Sequence, residues 1–400
     1  MMEIKGKVNT AISFAKVIEE EAVEQIRRMC DYDFTEGSKI RIMPDVHSGK
    51  GCTIGTTMTV KDRVVPNIVG VDIGCGMYTV NLGTRKLDLE KLDEITHYIP
   101  SGKSVWNGRQ EKFEDLQALK CYRYLKDTRR LERSLGTLGG GNHFIEIDKS
   151  SDGNNYLIIH SGSRNLGKQV AEYYQGLAIE LNEGKEEYYL MRDKIITEYK
   201  AQGRRSEIQK ALDELVWNKI DSTIPDDLCY LYGKYMRDYL HDVAICQNFA
   251  RRSRELMAEI IIGKLHCPSK ESFHTIHNYI DIDEMILRKG AISAHKGEKV
   301  LIPINMRDGS VIAIGKGNPE WNYSAPHGAG RIMSRNKAKE TLSLETYQQE
   351  MAGIYTTSVN EKTLDEAPMA YKSLNDIIDV IEESVDVIEV MKPIYNFKAN

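Results

Sequence analysis

The chain reads as an α+β protein, a single compact domain with mixed β-sheets and a helical insertion at about residues 167–265. Three observations predict this. Short β-branched runs broken by Gly and Pro fall in residues 39–83, 143–162 and 290–315, which is how strands joined by turns look in sequence. Between the second and third of these groups lies a Glu-, Lys-, Tyr- and Leu-rich stretch with few glycines and helical periodicity. Acid, thiol and imidazole groups beside glycines occur on both sides of that stretch, so a domain boundary there would split the site they form.

Taken in order, residues 11–30, AISFAKVIEEEAVEQIRRMC, place apolar groups at three- and four-residue steps and are predicted as an amphipathic helix. The runs KIRIMPDV, CTIGTTMTV, VVPNIVGVDI and MYTVNL follow as strands. Residues 86–135 are charged and mainly helical, and HFIEI (143–147) and YLIIHSG (156–162) return to strand. The helical stretch follows, with a break near Pro225, and then strands in GAISAHK, KVLIPIN and SVIAIG. The last stretch, 334–391, reads as two helices.

Composition narrows the function classes. With 54 Lys and Arg against 59 Asp and Glu, the formal net charge is −5, so a polyanionic partner has to be met by a local basic cluster or by bound metal. The seven cysteines, Cys30, Cys52, Cys75, Cys121, Cys229, Cys246 and Cys267, are scattered and form no CxxC pair, as in a reduced, cytoplasmic protein. The N-terminus has no apolar leader core, and no stretch is long and apolar enough for a membrane span. A monomer is expected, since no heptad pattern or apolar stripe advertises an interface.

The candidate chemistry sits at the ends of apolar runs. Asp72 and Cys75 in VGVDIGCGM, His143 in LGGGNHFIEI, His160 in YLIIHSGSR and His327 in YSAPHGAGR lie near glycines or small residues that let the backbone come close to a ligand, and His277 in HTIHNYI joins them by residue type. A carboxylate and a thiolate separated by two residues, Ile73 and Gly74, in a tight turn can face one ion, and imidazoles can complete the set. Mixed O, S and N donors suit Mn, Fe, Co or Zn better than Ca or Mg, and a shared thiolate can hold two ions close together. Taken singly, each His is better explained as a hydrogen-bonded core residue, and only several of them together bring the metal reading level with that one. Two nucleotide-site look-alikes fail: SGKS (101–104) has His97 where a phosphate loop needs Gly, and KSSDG (149–153) has one residue too many for a nucleotidyl-lysine motif. GKGCTIG (49–55) also misses dinucleotide-loop spacing.

Seven strings in order, MPDVHSGKG (43–51), VGVDIGCGM (69–77), LGGGNHFIEI (138–147), HSGSRNLG (160–167), RKGAISA (288–294), HGAGRIMSR (327–335) and PMAYK (368–372), resemble the RtcB family of GTP- and manganese-dependent RNA ligases. The resemblance implies one catalytic domain over residues 1–400. It also implies an activity that joins an RNA 3′-phosphate or 2′,3′-cyclic phosphate end to a 5′-hydroxyl end, in RNA repair or tRNA splicing. By the same resemblance Asp72, Cys75, His143, His160 and His277 hold two Mn²⁺ ions, Cys75 bridging, and His327 is the nucleophile that takes GMP from GTP. Asn142, Glu146, Pro303, Asn305, Met306, Gly328, Gly330, Tyr371 and Lys398 are implied to surround the nucleotide, with Tyr371 stacked on the base. Arg164, Lys289, Arg331 and Arg335 are implied to hold the RNA phosphate, and an archease-type activator is a candidate partner. Asp45 and His47 lie in a matched string without an assigned role.

The chain departs from the family where better-known members carry a PGSMG loop. Here IPINMRDGS (302–310) keeps the proline and methionine but has Ile304 and Asn305 in place of Gly and Ser, which removes backbone freedom and a hydroxyl. Arg307 and Asp308 are candidates to substitute for those interactions. The C-terminus is altered too, with Ala399 and Asn400 after Lys398. Besides the ligase, two alternatives stand: a metal-dependent cyclic phosphodiesterase or phosphoesterase acting on RNA ends without sealing, and a non-catalytic RNA-end-binding protein.

Overall fold

In the computed structural model, which describes residues 1–49 and 51–399, the strands assort chiefly into two large sheets. Lys50 of MPDVHSGKG and the terminal Asn400 lie outside the described residues. The six-stranded sheet runs, edge to edge, Met2–Lys5, Thr10–Ser13, Ile40–His47, Ile54–Thr59, Ile286–Lys289, Asn278–Asp281. It is mixed, because Thr10–Ser13 pairs parallel with Ile40–His47 while its other neighbours are antiparallel. The seven-stranded sheet is antiparallel throughout and runs Ser272–Ile276, Gly76–Gly83, Asn155–Ser161, Phe144–Lys149, Val385–Lys398, Gly309–Gly315, Lys299–Asn305.

Strand alternation explains which side chains meet. In Phe144–Lys149, Ile145 and Ile147 join Leu157, Ile159, Met257 and Ile261 in a fully buried cluster beneath the long helix Gly233–Leu265. Phe144, Glu146 and Asp148 therefore project from the opposite face. Register then places Phe144 opposite His160 on one side and Lys398 on the other, and Glu146 opposite Asn396. This second face is mixed: Glu146 and Asp148 lie on it beside a smaller buried apolar cluster of Met77, Phe144, Ile158, Leu301 and Met391.

Several sequence expectations are corrected: VVPNIVGVDI, expected as a strand, forms the short helix Pro66–Val69 after the two-residue strand Arg63–Val64, and residues 86–135 are α-helical only over Leu89–Tyr98 and Thr128–Arg133. The helix over 11–30 is shorter: Thr10–Ser13 is a strand, and the helix is confined to Glu20–Met29. The TAIS tetrapeptide satisfies its backbone between two strand neighbours, which outweighs its helical spacing. The two helices over 334–391 are instead three short ones, Arg335–Thr341, Leu344–Glu350 and Leu374–Ile381, followed by the strand Val385–Lys398. That strand fills the slot between Phe144–Lys149 and Gly309–Gly315, and only tertiary pairing reveals the slot.

The helical stretch is not uniform. Arg164–Asn182 and Gly233–Leu265 bury one face in the core, whereas Glu186–Ala201 buries no residue. No helix among the described residues is long and apolar enough to cross a membrane. Because Ile145 is fully buried between sheet and helix, Ile145→Ala is expected to lower unfolding free energy by about 2–5 kcal/mol, read from the urea midpoint at unchanged m-value.

Candidate active site

The donor groups collect at the seam between the two sheets. His277 is the single residue between Ser272–Ile276 of one sheet and Asn278–Asp281 of the other, and its backbone N–H donates to the Cys75 carbonyl at 2.9 Å. Asp72 and Cys75 precede the strand Gly76–Gly83 in a turn at whose centre Gly74 has φ +74°; a Cβ there would come within 2.9 Å of Gln247 Cα. His143 and His160 stand at the adjacent ends of their paired strands. The Cys75 Sγ lies 3.5 Å from His143 Nε2 and 3.3 Å from His160 Nε2, His143 Nε2 lies 3.0 Å from Asp72 Oδ2, and His160 Nε2 lies 3.3 Å from His277 Nε2. Two triads result, Asp72–Cys75–His143 and Cys75–His160–His277, each with its donor atoms within 4.8 Å of one another, and Cys75 belongs to both.

Tautomers follow from the outer hydrogen bonds. His143 Nδ1 donates to the Leu138 carbonyl at 2.9 Å and His160 Nδ1 to the Asn142 carbonyl at 3.1 Å, so Nε2 is the inward-facing nitrogen of each ring, offering its lone pair on His160 and meeting Asp72 on His143. Burial, with the neighbouring His143, holds His160 well below the ordinary imidazole value, and burial with His327 and His160 does the same for His277. Both rings are therefore held neutral. Burial raises Asp72, but the hydrogen bond and charge of His143 outweigh it and hold the carboxyl at about 2. Burial and Asp72 push the Cys75 thiol well up, so a thiolate here requires a cation beside it. Inward lone pairs from N, S and O, with few protons between them, fit a soft-to-borderline divalent ion.

His327 stands next to this group, its ring centroid 5.0 Å from that of His277. Its Nδ1 donates to Asp45 Oδ2 at 2.7 Å, and its backbone N–H donates to the same oxygen at 3.2 Å. Asp45, fully buried in the strand Ile40–His47, therefore fixes the ring and leaves Nε2 with the free lone pair. Asp45 is the functional residue that sequence reasoning left without a role. The signal was its place in PDVH, but its partner is 282 positions away.

A cavity of roughly 920 Å³, its mouth included, opens from His160, His277 and His327. Every residue expected around the nucleotide lines it: Asn142, Glu146, Pro303, Asn305, Met306, Gly328, Gly330, Tyr371 and Lys398, together with Arg331 and Arg335. Asn396, Phe144, Ile304, Ala329, His47 and Glu366 line it as well, none of which the sequence singled out as a pocket group. Glu366 matters most. It pairs with Lys398 and Arg335 and accepts from the Tyr371 hydroxyl at 2.9 Å, while the Arg331 guanidinium lies 4.8 Å over the Tyr371 ring. Arg307 and Asp308 do not line the cavity but pair with each other, and Arg307 also with Glu350.

Arg164 and Lys289 lie outside the cavity lining. Arg164 flanks the Asp72 side of the donor group, and its guanidinium donates to the Gly102 carbonyl at 2.8 Å and the Thr137 hydroxyl at 3.2 Å. Its backbone φ of +58° is unusual for a residue with a side chain. Gly139 has no side chain where Arg164 and His143 converge: a Cβ would fall 1.8 Å from Arg164 Nη1 and 2.6 Å from His143 Nδ1. Lys289 is buried, with Nζ donating to the Asn67 carbonyl at 3.2 Å.

With this geometry in place, comparison with known proteins is informative. The family described as "tRNA-splicing ligase RtcB" matches residues 25–127 and 110–399. The chain belongs to the RtcB family. It is 31% identical over 397 residues to the RNA-splicing ligase RtcB of Escherichia coli K12, covering 89% of this chain and 88% of that one. Similarity to the tRNA-splicing ligases RtcB of Aeropyrum pernix and Archaeoglobus fulgidus is 26% in each case, over 85% and 92% of this chain and 83% and 89% of theirs. In this RtcB chain the strings quoted from the sequence, far apart along it, meet at one seam and one cavity.

Glu366 generates a prediction about pH. Burial raises its carboxyl, but Lys398 and Arg335 outweigh this and hold it at about 2, below the ordinary 4.5. A depressed carboxyl contributes stability that is complete above its unfolded value and is lost as pH falls towards the folded one. Glu366→Gln is therefore expected to lower the urea midpoint at pH 7, with the gap to the parent chain narrowing below pH 4.5, the ordinary value.

Proposed function

We propose that this chain is an RNA ligase that uses GTP and Mn²⁺ to join an RNA 3′-phosphate or 2′,3′-cyclic phosphate end to a 5′-hydroxyl end through a GMP–histidine intermediate, in RNA repair or tRNA splicing. The observation that carries the reading is His327: its Nδ1–H is held by buried Asp45, its Nε2 is free, and it stands between the imidazole donor group and the cavity. Asp72, Cys75, His143, His160 and His277 would hold two Mn²⁺ ions with Cys75 shared, and those ions would supply charge neutralisation for phosphate oxygens and leaving groups.

His327 Nε2 forms a bond to the α-phosphorus of GTP as the bond to the β-phosphate oxygen breaks and pyrophosphate leaves. The ring becomes positively charged in this step. Asp45, bonded to Nδ1–H, stabilises that charge and keeps Nε2 aimed at phosphorus. Any cyclic phosphate is first opened by water to the 3′-phosphate, whose oxygen then displaces His327 and takes the GMP. The 5′-hydroxyl attacks the activated 3′-phosphorus, GMP departs, and the phosphodiester is made. Within the cavity, Glu146 and Lys398 are suited to the acceptor and donor positions of a guanine edge, and Arg331 and Arg335 to phosphate.

Incubation with labelled GTP and Mn²⁺ is expected to give an acid-labile protein–GMP adduct that His327→Ala abolishes and that chelation prevents. An undiminished adduct in that variant would remove His327 from the role. Cyclic-phosphate opening with nucleotide omitted and no sealing would instead select the phosphodiesterase reading, and RNA-end binding without GTP binding the non-catalytic one. Asp45→Asn is expected to slow adduct formation on the order of 10²–10⁴-fold at near-parental stability, measured by quench-flow and thermal unfolding.

A further inference from the structure

We propose that the surface formed by the 101–104 turn and residues 120–134, on the Arg164 side of the donor group, is the track along which one RNA strand runs to the active site. This inference rests on the ligase reading. The segment KCYRYLKDTRRLERS carries six cations and two acids, a local excess of four positive charges in a chain whose net charge is −5. Its two acids are already engaged: Asp127 accepts from the Arg130 backbone N–H at the start of the helix Thr128–Arg133, and Glu132 pairs with Arg109 at 3.4 Å. Lys103, Arg123, Lys126 and Arg129 are exposed, and among the described residues none of the four has a carboxylate partner. Such uncompensated charge is unfavourable for the protein alone and favourable beside a phosphate backbone.

The surface is joined to the active site through the SGKS turn. Arg164 donates to the Gly102 carbonyl at 2.8 Å, the next residue's carbonyl, that of Lys103, accepts from Arg130 Nη2 at 2.6 Å, and the Gly102 N–H donates to the Gly139 carbonyl at 2.7 Å. One turn therefore touches both the arginine beside Asp72 and an arginine of the basic segment. Aromatic rings interleave with the charges. Tyr124 is 55% exposed and stacks on Tyr173 at 4.6 Å, at the rim of a cleft whose charged lining is mixed, Lys120, Arg192 and Lys234 against Glu172, Glu180 and Asp238. Cations spaced along a path with an exposed, pre-stacked ring are what a single strand needs, since phosphates supply affinity and any base can stack. The SGKS string, which fails as a nucleotide loop, acquires a place in this arrangement.

The test uses the full chain and a fluorescent single-stranded RNA ending in a 3′-phosphate, with binding followed by anisotropy across a KCl series. Lys126→Glu/Arg129→Glu is expected to weaken binding at least about tenfold and to reduce the magnitude of the log–log salt slope by about 0.7 for each phosphate no longer neutralised. Tyr124→Ala is expected to weaken it about tenfold with the slope unchanged. Adduct formation with GTP and Mn²⁺ is expected to stay at the parental level in both, and it reports on the ligase reading separately. Unchanged RNA affinity and slope in the double variant would overturn the proposal and leave the patch to an acidic protein. An equal loss in the control Lys194→Glu/Lys210→Glu would also overturn it, by reducing the effect to net charge.

Discussion

Everything in the site depends on the convergence of donor atoms that repel one another. Two imidazole Nε2 atoms 3.3 Å apart, a thiol within 3.5 Å of two imidazoles, and a carboxylate 3.0 Å from a third ring nitrogen are brought together inside protein. Lone pairs at such separations are held apart by protons or by cations. The backbone carbonyls of Leu138 and Asn142 take the Nδ1 protons of His143 and His160, and burial disfavours a second proton on His160 and on His277. The fold thereby stores a demand for positive charge at one place. Stability from the surrounding core, Ile145, Leu157 and Ile159 on one side and Val69 and Ile73 on the other, keeps the donors from relaxing apart.

The two sheets explain why the site lies where it does. His277 sits at the single-residue crossing between them, Asp45 and His47 end a strand of one, and His143, His160, Glu146 and Lys398 belong to one end of the other. His327 follows the short strand Ser324–Pro326 and completes its orientation only by reaching Asp45. A nucleotide in the cavity would thus touch both sheets at once. Glu366 plays the complementary part on the far wall, a buried anion that gathers Lys398, Arg335 and Tyr371 into one hydrogen-bonded group and fixes their geometry before any ligand arrives.

The 302–310 loop is held by apolar packing on one side and by its own hydrogen bonds on the other. Ile304 is buried against the core cluster of Ile292, Ile302 and Val311, and the side-chain carbonyl oxygen of Asn305 accepts from the backbone N–H groups of Arg307 and Asp308. Asn305 therefore does for the turn what glycine does elsewhere, stabilising a tight reversal through its own side chain. Its amide nitrogen is bonded to Asp308 at 2.9 Å. The Arg307–Glu350 pair ties the loop to the helix Leu344–Glu350.

Much of this was legible in the sequence because ligand chemistry is local in residue type. Asp72, Cys75, His143, His160 and His327 are each marked by glycines or other small residues nearby, His277 stands out by residue type alone, and the β-branched run HFIEI reads as a strand. What the sequence could not decide was partnership. Asp45 with His327, Glu366 with Lys398, and the strand at 385–398 between two distant strands all depend on pairings separated by tens to hundreds of residues, where local periodicity carries no information. Residue chemistry was written in the chain, whereas the direction of each lone pair, and the counter-charge facing it, came only from the packing of two sheets against one another.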